Sequence, residues 1–153
     1  MNGNRDLALL VLRLALGTIM FAHGAQKVLG WFGGPGPQGF LGWMGSMGVP
    51  APLAWIAILV EFGGGLAVIL GVFARLAALG FSINMLVAMF MVHLKNGFFL
   101  GGEGGGGIEF TLMLFAAALA IAIAGPGRFG LAPEIETRLL TPRRAPGPVK
   151  RAA

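Results

Sequence analysis

The sequence predicts an all-α integral membrane protein, a four-helix bundle with both termini in the cytoplasm. Three observations carry this expectation. Of 153 residues, 56% are hydrophobic and 11% are charged, with a mean hydropathy of +0.82, whereas a soluble domain has roughly 25% charged residues. The apolar residues gather in four runs, at about residues 7–24, 51–72, 74–94 and 107–124, each near the roughly 20 residues that a helix needs to cross a bilayer. The bases divide unevenly: Arg5, Arg75 and six after residue 125 fall on one side, Lys27 and Lys95 on the other. The richer side is then the cytoplasmic one.

The first run follows Arg5 and ends in small residues, as a signal peptide would, but Arg13 inside its apolar stretch predicts a retained span. Connection 25–50 is rich in Gly and Pro, carries Trp31, Phe32, Phe40 and Trp43 with the single charge Lys27, and reads as an aromatic interfacial segment. Runs two and three are separated only by the turn at 71–75, which makes them an antiparallel hairpin. The third connection, KNGFFLGGEGGG at 95–106, predicts a flexible loop. Its glycines resemble a phosphate cradle in composition alone, because no strand precedes them and no GK[ST] follows.

Beyond a membrane domain at 1–125, residues 126–153 read PGRFGLAP and TPRRAPGPVKRAA at their two ends and predict a basic, disordered cytoplasmic tail, with a helical turn or two at 134–140. The tail holds six bases against Glu134 and Glu136, which is +4 of the chain's net +5. The basic balance is therefore topological, and nucleic acid is not an expected partner. The lipid bilayer is. The absence of cysteine excludes disulfides, thiol redox catalysis and cysteine-ligated metal or iron–sulfur centres. Four spans also leave no room for a sizeable soluble catalytic domain.

Ionisable groups inside a span are costly and usually face the interior, so each is a functional candidate. They are Arg13 and Glu61, with His23, Lys27, His93 and Glu109 nearer the outer ends and Asn84 as a neutral addition. At 100° per residue Arg13, Gly17, Met20, Gly24 and Lys27 share one line, and Glu61, Gly64, Gly65 and Val68 form a second small-residue seam. Counting from the ends of the runs, Arg13 and Glu61 differ in height by roughly 6 Å, so they are expected to pair. Such a pair could equally do no more than fix helix register. His23, Lys27, His93 and Glu109 each read singly as interfacial side chains. Their convergence with Glu61 reads as a small-molecule site in the outer half of the bundle. His23 and His93 match in predicted height, as axial haem ligands would, but haem is disfavoured, and no metal-binding spacing such as HExxH is present. The methionines at 85, 89 and 91 read as core packing.

Arg13, HGAQK at 23–27, MGVP at 47–50, EFGGGLAVILG at 61–71 followed by Arg75, and HLKNGFF at 93–99 with Glu109 beyond it together resemble the DoxX family of small four-helix bacterial membrane proteins, over about residues 5–125. The resemblance implies a multi-pass protein of the bacterial inner membrane, similar to the membrane subunit of thiosulfate:quinone oxidoreductase. It also implies an oxidoreductase role linked to quinone, or partnership with a soluble redox-defence protein.

Two functions of different class follow. In the first, the chain is a quinone-binding oxidoreductase subunit. Glu61 and His23 would serve as catalytic proton-handling groups, Lys27, His93, Glu109 and Arg13 would hold the ligand, and Trp31, Phe32 or Trp43 would wall the mouth; a partner would supply electrons. In the second, it is a non-enzymatic membrane anchor or assembly factor for such a partner. Passage of a small solute along the polar seam is a third class, without the internal repeat that transporters usually carry. A homo-oligomer is compatible with all three.

Overall fold

The computed structural model describes residues 3–101 and 106–132. Among them are five α-helices and no strand: α1 (Gly3–Val28), α2 (Gly36–Ser46), α3 (Ala51–Leu70), α4 (Ala74–Ala88) and α5 (Ile108–Ala124). A π-turn, Met89–His93, and a 3-10 turn, Leu94–Asn96, prolong α4. The helices Gly3–Val28, Ala51–Leu70 and Ala74–Asn96 are long and apolar enough to cross a membrane. The fourth apolar helix, α5, has 17 residues, about 25 Å against a hydrocarbon core of about 30 Å.

The helices close a circuit in which α1 packs on α3, α3 on α4, α4 on α5 and, less extensively, α5 on α1. Each turns one stripe inward. On α1 this is Leu9, Arg13, Leu16, Met20 and Gly24, on α3 Ala54, Ile58, Glu61, Gly65 and Val68, and on α5 Thr111, Leu114, Ala118 and Ile121. Their neighbours on the outer faces, such as Val11, Leu59, Leu76 and Ile123, are more than half exposed. That surface suits lipid and not water.

The α1–α3 contact sets the register. A Cβ on Gly24 would lie 2.3 Å from the Phe62 nitrogen, one on Gly65 2.6 Å from that of Phe21, and one on Gly17 3.0 Å from the Gly65 carbonyl oxygen. Backbones this close need glycine, because helices in lipid associate by packing and not by hydrophobic transfer. The hairpin between α3 and α4 forms because Gly71, at φ 71°, ends α3 in the left-handed conformation, with Val72 N–H donating to Ala67 O and Gly71 N–H to Val68 O.

Connection 25–50 is more ordered than an interfacial strip. Its residues 36–46 form the helix α2, closed by Val49 N–H to Met44 O around Gly48, so MGVP is a helix stop that ends in the proline preceding α3. Phe40 and Met44 of α2 pack on Ala54 and Ile58 of α3.

Two further expectations need correction. The third connection does not hang free at its described ends, for Gly107, Ile108 and Glu109 N–H groups donate to the carbonyls of Phe99, Gly97 and Phe98. The tail does not leave the bundle at residue 126. Arg128 N–H donates to Asp6 Oδ1, Arg13 Nη2 to Phe129 O, and Leu131 N–H to Leu70 O, so residues 126–131 fold across the end where α1 begins and α3 stops. Main-chain groups meeting otherwise unpaired side-chain and helix-end partners outweigh the polarity of this stretch. The helical turn at 134–140 and the remaining tail lie outside the described residues.

Candidate functional site

Glu61 is 3% exposed and stands where three helices meet. Its Oε2 forms an ion pair with Lys27 Nζ from α1, and its Oε1 accepts from Asn84 Nδ2 of α4 at 2.8 Å. The Lys27 ammonium also lies 4.8 Å from the centroid of the Phe40 ring on α2, a cation–π contact that helps to compensate its partial desolvation. The geometry follows from the glycine seam. Gly24 presses α1 onto Glu61 and Phe62, and Lys27 comes one turn later on the same face.

The same register separates Arg13 from Glu61. Arg13 lies beside Gly71, ten residues along α3 from Glu61, which is about 15 Å. The expected pair is therefore corrected: Arg13, 1% exposed, donates to Phe129 O at 3.2 Å, and among the described residues its Nε and Nη1 have no hydrogen-bond partner. Height had been counted from the ends of the apolar runs as if these were level. Instead α1 stops near the level of Glu61, and α2 fills the layer above it. Neutralising Arg13 and neutralising Glu61 should therefore give additive losses of stability, within about 0.5 kcal/mol in detergent unfolding titrations.

Beside the cluster lies a cavity of about 230 Å³. Met20, His23 and Lys27 of α1 line it, with Phe40, Trp43, Met44 and Met47 from α2 and its end, and Ala57 and Glu61 of α3. Asn84, Met85, Met91 and His93 on the α4 side and Phe110, Thr111 and Leu114 of α5 complete the wall. Four of the predicted site residues, His23, Lys27, Glu61 and His93, thus share one cavity. His93 Nδ1 lies 2.6 Å from Gly106 O; a carbonyl only accepts, so Nδ1 is the donor. The π-turn that carries His93 and Met91 is a local widening of the helix of a kind often found at functional sites.

Glu109 and Arg13 do not join them. Glu109 Oε1 accepts the Leu100 N–H at 2.6 Å and braces the third connection. Of the expected aromatic wall, Trp43 lines the cavity, while Trp31 and Phe32 are exposed and are not among its lining residues. Asn84, a neutral polar residue to which the sequence assigns no role, also lines the cavity, as do Met44, Met47 and Thr111, which the sequence does not single out. A polar residue in an apolar run was the available signal for Asn84; the others depend on α2 folding over the outer end. Among the described residues no three His, Asp or Glu side chains gather as metal ligands would.

Membrane-crossing helices around one buried, compensated carboxylate, with an apolar chamber at its side, define a helical membrane protein with an internal polar cluster. The family model for DoxX matches residues 8–94, more than half of the chain and all of the Lys27–Glu61–Asn84 cluster. The chain belongs to the DoxX family. The match stops before α5, so Glu109 lies outside it. Comparison with curated proteins and with solved structures finds no match.

Proposed function

We propose that this chain is a four-span, multi-pass protein of the bacterial inner membrane, with both termini cytoplasmic, and that it serves as a quinone-binding subunit of an oxidoreductase. The observation that carries the reading is an ammonium–carboxylate–amide cluster at the wall of a largely apolar cavity. At about 230 Å³ the cavity is smaller than the roughly 300–1,000 Å³ of sites for drug-sized ligands, and suits a single ring. Lys27 has two ammonium hydrogens beyond the one given to Glu61, and Asn84 has a second amide hydrogen, so both can donate to ring oxygens. Glu61 holds the Lys27 ammonium in place. His23, which has no side-chain hydrogen bond among the described residues, takes or gives a proton at the rim.

Quinone supplies a two-electron, two-proton acceptor. The chain has no cysteine, and a soluble redox partner supplies the electrons. Binding of a quinone to purified protein in nanodiscs tests the reading. K27M/E61Q, which removes both charges together, should weaken binding at least about tenfold, or roughly 1.4 kcal/mol, while Glu109→Gln leaves it unchanged. Equal binding by wild type and the double variant would reject the site and put the anchor reading in front.

A further inference from the structure

The cavity's carboxylate lies deep, and its exposed rim is mainly apolar. Glu61 is 3% and Thr111 4% exposed, whereas Trp43, Val87, Met91 and Phe110, which line the same space, are 46, 45, 42 and 37% exposed. Apart from His23, the exposed large side chains on the rim are apolar. The opening follows from the packing: α2 rests on α1 and α3 and makes no comparable contact with α4 or α5, so Trp43 on one side faces Val87, Met91 and Phe110 across a seam. Val87 is 13 residues into α4, about 20 Å along a helix that crosses a hydrocarbon core of about 30 Å. The rim thus lies at the level of lipid chains.

We infer that the cavity opens sideways into the bilayer through this seam, and that its ligand is an amphiphile with one ring-sized polar head and a hydrocarbon chain, the head on Lys27, Glu61 and Asn84 and the chain leaving between Trp43 and Met91. The inference rests on the quinone reading and adds the route and the chain. The cavity volume supports it, since a ring fills the chamber and a long chain has to lie outside. The methionines support it as well: Met44, Met47, Met85 and Met91 line the chamber, and unbranched thioether side chains yield to a flat ring and its chain more readily than branched ones.

The test compares quinones that share one ring and carry no chain, a ten-carbon chain or a long isoprenoid chain, each titrated onto the protein in nanodiscs. Wild type is set against Met91→Trp and, as a second narrowing of the seam, Val87→Trp. Both positions are on the rim and outside the Lys27–Glu61–Asn84 cluster, although each also lines the chamber. Narrowing should weaken the chain-bearing quinones at least about tenfold more than the chainless one. Equal losses for all three, or no loss in either variant, would overturn the sideways route while leaving the quinone reading standing. Failure of wild type to bind any of the three would reject the quinone reading and the route with it.

Discussion

Lys27→Met should destabilise the protein by about 3–5 kcal/mol, and K27M/E61Q should destabilise it by less. The single change leaves the Glu61 carboxylate, 3% exposed, with one neutral donor, Asn84. A carboxylate so placed either remains charged at high cost or takes up a proton, and the fold loses free energy in both cases. The double change leaves no unpaired charge. Glutamine at 61 keeps an oxygen for the Asn84 amide, and methionine at 27 still covers Phe40. Unfolding in mixed micelles with a denaturing detergent, run as a double-mutant cycle, measures the coupling. Losses that simply add would mean that the ion pair contributes nothing beyond its two members.

The second large effect belongs to Gly24. A Cβ there would sit 2.3 Å from the Phe62 nitrogen, 2.5 Å from its Cα and 2.8 Å from the Glu61 carbonyl carbon. These are backbone atoms of a helix and cannot step aside as a side-chain tip does. Gly24→Val should therefore part α1 from α3 and destabilise by at least about 3 kcal/mol, at or beyond the upper end of ordinary overpacking. It should also separate Lys27 from Glu61 and abolish ligand binding. Gly63, on the same helix as Glu61, has nothing within 4 Å of its would-be Cβ. Gly63→Ala should be neutral or slightly stabilising, since glycine is about 1 kcal/mol poorer than alanine within a helix. Comparable losses for the two variants would mean that the α1–α3 approach is looser than described.

The contrast between these residues shows what the sequence could carry. Helical spacing put Gly17, Gly24 and Lys27 on one line of α1 and Glu61 and Gly65 on one line of α3, and the structure joins these lines. Periodicity reports direction around a helix and says nothing of how far one helix is slid along another. That offset decided whether Lys27 or Arg13 would meet Glu61. It is fixed where Gly17, Gly24 and Gly65 bring the two backbones together, and the layer above is filled by α2, whose Gly- and Pro-rich sequence gives little helical signal by itself and gains its order by packing Phe40 and Met44 on α3. Glu109 was misplaced for a related reason: hydropathy marks where α5 starts, whereas the carboxylate is taken up by a main-chain N–H from the preceding connection. The same holds for Arg13 and Asp6, whose contacts with the segment 126–131 are hydrogen bonds to main-chain groups that no side-chain pattern announces.

Photolabelling of the wild-type protein in nanodiscs with an azidoquinone, followed by peptide mapping, tests the central claim most directly. Label should fall on the peptides carrying Trp43, Met44 and Met47 and on those carrying Met85 and Met91, and excess unlabelled quinone should remove it. Two helices far apart in sequence would then be marked by one molecule. Label concentrated instead in the apolar groove between α3 and α4, at Val60, Ala67, Leu76 and Ile83, or spread over the lipid-facing surface without competition, would contradict a quinone site beside Lys27 and Glu61.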